Sequence, residues 1–211
     1  MKYQPMLCDK GDIKILSSPS YLFEPKVDGT RCIAEIDENV KLFNRREKNI
    51  TKRYPLIAKE LKNFKGFVFD GEIVCYNEEG VPDFSLLQKR EIDSPIMIEI
   101  RSKTIPATYV IFDVIERGGK PVIERAIEER KEFLDFKDEH VETIFYTTNG
   151  LKLWEEVKKR GIEGIVAKEK GSKYYPGERR KEWLKIKNLK IIDAVIVGYL
   201  SFKREISSVA I

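Results

Sequence analysis

Short apolar runs of strand length, each closed by a polar turn, recur along this chain and outnumber its helical stretches. Tyr21-Leu22-Phe23 leads into a tight Asp28-Gly29 turn, and alternating Arg31-Cys32-Ile33-Ala34-Glu35-Ile36 follows, so strands are predicted over 20–25 and 31–37, with another at 40–44. Taken alone, this stretch reads as a hairpin with Lys26 at a strand end. Residues 1–19 have no clear period and read as an irregular lead-in. Pro55 to Phe64 has helical spacing with Pro55 in the first turn, and Gly66 ends it. The run 67–76 is a buried strand with an acidic interruption. Short helices are expected from Pro82 to Arg90 and over 94–103. A strand at 109–115 closes at Gly118-Gly119, a charged amphipathic helix covers 124–136, and a strand covers 142–147. Asn149 to Arg160 is a helix stopped by Gly161, and strands are expected at 163–168, 182–187 and 193–200. Strands and helices do not alternate as βαβ units, so the fold class is α+β, with antiparallel β-sheets flanked by helices.

Composition narrows the class. With 211 residues and 42% hydrophobic content the chain can bury a substantial core, and no Pro/Gly/Ser linker or internal repeat divides it. No apolar run reaches transmembrane length and no signal-peptide layout opens the sequence, so a cytoplasmic protein is expected. Cys8, Cys32 and Cys75 have no paired spacing and His140 is the single histidine, which argues against a Cys/His zinc site. Cys32 and Cys75 read as core thiols, and His140 as a solvated residue of a charged connector. A net charge of +4 does not by itself imply nucleic acid.

Carboxylates inside apolar strands are the anomaly. Asp70 and Glu72 in FVFDGEIV share one strand face, and Gly71 between them allows close backbone approach. A carboxylate there is costly unless it is paired or metal-bound; an edge-strand salt bridge is the plain alternative. Phe112-Asp113 repeats the theme, and Glu163 and Lys168 bracket another β-branched run. In Trp183-Leu184-Lys185-Ile186-Lys187 two lysines share a face and repel unless an anion lies between them, for which a phosphate is the natural candidate. Neither GxxxxGK[ST] nor GxGxxG is present. A lysine, carboxylates, an aromatic residue and a lysine cluster suit nucleotidyl transfer onto lysine.

In that order the chain resembles the adenylation (nucleotidyltransferase) domain of ATP-dependent DNA ligases. KVDGTR from Lys26 matches motif I, FDGE ending at Glu72 motif III, and Phe112-Asp113 motif IIIa; EGIVAK from Glu163 matches motif IV and WLKIK from Trp183 motif V. FSLLQKR at 84–90 and SKYYPGERRKEWLKIK from Ser172 are similar to DNA ligases rather than capping enzymes, the second to the prokaryotic end-joining type. The resemblance implies an ATP-grasp-like nucleotidyltransferase fold over 1–190, with 191–211 as the start of a truncated or absent OB-fold domain. It implies Lys26 as the nucleophile forming a lysyl-AMP, Glu24 reading the adenine amino group, and Arg31 on ribose or phosphate. Phe112 would stack on adenine with Val166 on the opposite face, and Lys168, Lys185 and Lys187 would surround the α-phosphate. Glu72 and Glu163 would hold Mg2+ or Mn2+, Glu72 alternatively touching ribose. Arg45 matches a family arginine, although LFNRR departs from the usual LFSRN. The implied partner is nicked or broken duplex DNA in replication or repair, with a separate OB-fold or end-joining protein as a second partner and a monomeric state. An RNA ligase or capping-type nucleotidyltransferase shares this chemistry. A non-catalytic nucleic-acid-binding module using Arg179, Arg180 and Lys181 is a further alternative, which leaves the strand carboxylates unexplained.

Overall fold

The computed structural model describes residues 1–189, 198–200 and 208–210. The chain runs β1 (Leu7–Lys10), β2 (Tyr21–Pro25), β3 (Thr30–Ile36), β4 (Val40–Asn44), α1 (Pro55–Leu61), β5 (Phe67–Val74), α2 (Phe84–Arg90), α3 (Pro95–Thr104), β6 (Thr108–Arg117), β7 (Lys120–Pro121), α4 (Ile127–Lys131), β8 (Val141–Thr143), α5 (Gly150–Arg160), β9 (Gly164–Glu169) and β10 (Arg179–Lys187). Two further strands, Gly198–Leu200 and Ser208–Ala210, pair antiparallel with each other. The strand expected over 193–200 lies outside the described residues except for Gly198–Leu200, as does most of the segment 191–211. Among the described residues no helix is long and apolar enough to cross a membrane.

Two sheets carry the architecture. One has the order β1-β10-β9-β2; the other has β4-β3-β5-β6-β7, with β8 added in parallel beside β6. The period-2 alternation of each strand sorts its residues between two layers. On β5, Phe69 and Ile73 turn to an outer core that includes Ile57 and Leu61 of α1 and Leu87 of α2. Val68 and Val74 turn to the opposite, inner face. On the other sheet, Phe23, Ile165, Ala167 and Ile186 pack against Leu153, Trp154 and Val157 of α5. Between the sheets lies a third core, where Leu22 and Trp183 from one meet Ile33, Val110 and Phe112 from the other. Local signals agree with the helices. The Asn149 side chain accepts from Lys152 N, and Gly161 closes α5 at φ 67°; Asp83 caps α2 through Ser85 N and Leu86 N.

Several expectations are corrected. β2 and β3 do not form a hairpin: β2 pairs with β9 and β3 with β4 and β5, so residues 26–29 carry the chain from one sheet to the other. The lead-in is not irregular, because Leu7–Lys10 pairs parallel with β10 and Ile13–Ser17 forms a 3-10 helix. The helix expected over 124–136 is only Ile127–Lys131, since Phe133, Leu134 and Phe136 are drawn onto the outer core instead of continuing the turn. The strand expected at 142–147 is confined to Val141–Thr143, with Thr147 making an isolated bridge to Phe23. His140 is buried rather than solvated: it leads into β8, and its Nδ1 lies 3.3 Å from the Ala107 carbonyl oxygen.

A bulge shapes the inner layer. Asp70 faces Asp113 and Gly71 faces Ile111, which leaves Phe112 as the extra residue on β6. The Tyr109 ring lies across Gly71, where a Cβ would come within 2.5 Å of it. Asp113 and Arg130 are both fully buried and pair bidentately, at 2.7 and 2.9 Å. Burial by itself would raise the Asp113 carboxyl, but the charge and hydrogen bonds of Arg130, with Lys168 and Lys131 behind them, hold it below the ordinary range.

Removing one member of such a pair strands the other charge in the core. Arg130→Ala should lower the unfolding free energy by roughly 3–5 kcal/mol, read from the urea midpoint. A loss below 1 kcal/mol would show that the pair is not what holds α4 against β6.

Candidate active site

The cleft opens where the inner layer runs out of apolar side chains. Glu24, Lys26, Arg31, Glu72, Phe112, Val166 and Lys168 all line it, together with Cys8 and Trp183. Antiparallel register explains the four-stranded side. Val166 lies opposite both Glu24 and Lys185, and Lys168 opposite both Leu22 and Trp183, so these residues share the inward face. Phe112 and Glu72 come from the other sheet.

Lys26 stands just after β2, at the crossover between the sheets. Its backbone N–H donates to the Gly164 carbonyl at 2.8 Å, and its ammonium is paired with Glu163 Oε2. Glu163 Oε1 meets Lys187 Nζ at 3.1 Å. Burial alone would raise the Glu163 carboxyl, but hydrogen bonds and charge from Lys26 and Lys187 keep it lowered. Gly164 makes this approach possible. At φ 154° it lies so near β10 that a Cβ would sit 2.1 Å from the Ile186 carbonyl oxygen.

Deeper in, Glu24 is buried with Lys168 Nζ 3.0 Å from Oε2 and Lys131 Nζ 2.5 Å from Oε1. The Lys131 contact is an ion pair without hydrogen-bond alignment. Lys168 also donates to the Phe112 carbonyl at 3.1 Å and lies over the Trp183 and Phe112 rings, at 4.1 and 4.5 Å from their centroids. Burial lowers its ammonium to about 8, with Lys131 adding to the effect and Glu24 opposing it. Arg31 is clamped by Asp70 through two 2.6 Å bonds and donates to the Met6 carbonyl at 3.0 Å. Tyr174 Oη donates to the same Asp70 at 2.6 Å, and the Arg31 guanidinium lies 4.6 Å from the Phe112 centroid.

Seven of the expected site residues thus converge on one cleft, and Glu163 and Lys187 are reached through Lys26. Lys185 shares their sheet face but lines a neighbouring groove with Lys10, Trp154 and Lys187. Arg45 is exposed in the turn after β4, outside the cleft lining. Asp70, read as either paired or metal-bound, is paired and anchors Arg31, and Asp113 anchors Arg130. Lys131 went unnoticed, because a cation in the run Glu128-Glu129-Arg130-Lys131-Glu132 reads as solvated; no local signal marks it as buried.

Glu72 is different. Among the described residues its carboxyl makes no hydrogen bond or ion pair, and burial pushes it up to about 7 despite Arg31 and Lys26 nearby. A half-buried carboxyl facing a cleft without a protein partner fits a divalent cation or a sugar hydroxyl. The whole arrangement is a pocket with two aromatic rings, the Glu24 carboxylate and cations from both sheets. That combination is suited to a purine nucleotide whose phosphates lie toward Lys26.

Comparison with known proteins agrees in kind. Residues 5–187 match the family model described as the ATP dependent DNA ligase domain. The chain is 30% identical over 185 residues to the SPbeta prophage-derived DNA ligase-like protein LigB of Bacillus subtilis (strain 168), which covers 85% of this chain and 66% of that protein. It is 29% identical over 209 residues to the multifunctional non-homologous end joining DNA repair protein LigD of Mycobacterium tuberculosis (strain ATCC 25618 / H37Rv), covering 92% of this chain and 25% of LigD. A solved structure titled mycobacterial DNA ligase D complexed with ATP and MES has a TM-score of 0.74 at 27% identity, covering 89% of this chain and 61% of that one. The chain therefore spans only part of the length of these relatives.

The Glu72 carboxyl supplies a test of the cleft's electrostatics. Its folded value near 7 lies above the unfolded 4.5, so the folded state holds the extra proton and loses stability as pH rises through that window. Glu72→Gln should match wild type below pH 4.5 and become more stable by about 1–3 kcal/mol above pH 7. Parallel stability curves from pH 4 to 8 would show that Glu72 is not desolvated.

Proposed function

Because the chain belongs to the ATP dependent DNA ligase domain family, we propose that it binds ATP between its two sheets and forms a covalent adenylate on Lys26. The AMP then passes to a 5′-phosphate at a break in duplex DNA, for phosphodiester sealing. The observation that carries this reading is the position of Lys26, at the sheet crossover, in the cleft lining and held by Glu163.

In the first step Lys26 Nζ, its proton released to solvent, attacks the α-phosphorus. A P–N bond forms as the α–β phosphoanhydride P–O bond breaks, and pyrophosphate leaves with the electron pair. Glu163 orients Nζ through its ion pair, while Lys168 and Lys187 offer positive charge to the phosphoryl oxygens. Lys185 shares the inward face and would add to that charge. The 5′-phosphate oxygen next attacks the same phosphorus and releases Lys26. The 3′-hydroxyl finally displaces AMP and closes the backbone.

The place of Glu24 in the cleft lining supports its reading of the adenine amino group. Phe112 on one sheet and Val166 on the other support an adenine held between them. Arg31, rigid on Asp70, would hold ribose or phosphate, and Arg45 would reach the nucleotide only from outside the cleft. Mg2+ or Mn2+ would be held by Glu72 and Glu163, and would supply neutralisation of phosphate charge.

Incubation with ATP and magnesium should add one adenylate to the intact mass of the wild-type chain. Lys26→Ala, with an unchanged circular dichroism spectrum, should add none, and GTP in place of ATP should label neither protein. Undiminished labelling of Lys26→Ala would remove Lys26 as nucleophile, and labelling by GTP would favour a capping-type enzyme. Phe112→Ala should weaken ATP binding by about 1–3 kcal/mol, whereas Phe112→Tyr should leave it nearly unchanged in calorimetry. A lower melting temperature with unaltered affinity in Phe112→Ala would make the residue core only.

A further inference from the structure

Outside the cleft, under the end of α1, lies a cluster of ligand-type side chains that the proposed chemistry does not use. It joins residues some eighty positions apart: Glu60 on α1 and Glu139-His140 just before β8. We propose that Glu60, Glu139 and His140 form a binding site for a divalent cation of the zinc class, one imidazole and two carboxylates completed by water.

The imidazole carries the argument. His140 is 7% exposed, and its Nδ1 lies 3.3 Å from the Ala107 carbonyl oxygen. A carbonyl can only accept, so the hydrogen is on Nδ1 and the lone pair of the neutral ring is on Nε2. Among the described residues nothing hydrogen-bonds to Nε2. Glu139 Oε1 stands 3.8 Å away, beyond hydrogen-bond reach. A ring held by Nδ1–H to a backbone carbonyl, with Nε2 turned toward the Glu139 carboxylate, is the arrangement that orients a metal-binding histidine.

The carboxylates complete it. One donor atom from each of Glu60, Glu139 and His140 lies within 4.8 Å of the others. Glu60 is anchored, because its Oε2 accepts the His140 backbone N–H at 2.9 Å, and among the described residues nothing hydrogen-bonds to its other oxygen. Donors around a tetrahedral zinc lie about 3.4 Å apart, given bonds of about 2.1 Å. The Glu139 side chain, exposed and 3.8 Å from Nε2, is free to close its own part of that contraction. An imidazole donor selects zinc-like ions over magnesium, which prefers an all-oxygen shell. Bound there, the cation would clamp α1 to the strand that extends the six-stranded sheet.

The test compares wild type, Glu139→Gln and Glu72→Gln, each stripped of metal and titrated with ZnCl2 or CoCl2 without nucleotide. In wild type, zinc at ten times its Kd should raise Tm by about 3–6 °C, and cobalt should give the visible absorption of a tetrahedral site. Both responses should persist in Glu72→Gln, which removes the cleft carboxylate, and disappear in Glu139→Gln, whose altered side chain is on the surface. An equal response in Glu139→Gln and wild type, loss of the response in Glu72→Gln, or no response to either ion would overturn the site. The outcome is independent of adenylation, because no nucleotide is present.

Discussion

Charge buried between two sheets is the constraint on which this protein depends. Glu24, Asp70 and Asp113 are almost wholly removed from water, and so are Arg130, Lys131 and Lys168. A lone ion in that layer would be prohibitively unstable, so each must find an opposite charge in fixed geometry. Asp113 takes Arg130, Asp70 takes Arg31, and Glu24 takes two lysines. These partners come from elements distant in sequence: Arg130 and Lys131 tie α4 to both sheets, and Arg31 ties β3 to β5. Burying ions is a poor way to gain stability, but it leaves their positions with little freedom.

That rigidity bears on the cleft. Arg31 is pinned by two bonds to Asp70 while its guanidinium stays beside the Phe112 ring. Lys168 is held by Glu24 and a backbone carbonyl, facing two aromatic rings. Groups preset in this way need little rearrangement when an anionic ligand arrives, which is how fixed dipoles and charges favour phosphoryl chemistry. The bulge at Phe112 serves the same end, turning an aromatic residue into the cleft beside a carboxylate that faces a helix.

Much of this was legible in the residues. The strand period put Asp70 and Glu72 on one face, and the same rule put Lys185 and Lys187 on one face and Leu184 and Ile186 on the other. The order of short motifs from Lys26 to Lys187 was sufficient to identify the family, because each motif is a local pattern that stays together wherever the strands go. Helix limits with strong local signals, such as Pro55 at the start of α1 and Gly161 after α5, were equally readable.

Tertiary structure decided what local pattern cannot encode, namely which surface each residue meets. Strand periodicity is the same whether β2 and β3 are neighbours in a hairpin or members of different sheets, so Lys26 looked like a strand-end residue and proved to be a crossover residue. A charged run looks solvated until a carboxylate from another element meets it, which is why Lys131 and Arg130 were invisible as buried cations. His140 was misplaced for the same reason: the carbonyl that holds it belongs to Ala107, and only folding brings the two together. Sequence by itself determined the residue types, their local periods and the family; long-range pairing of charges, which has no local signature, decided the site.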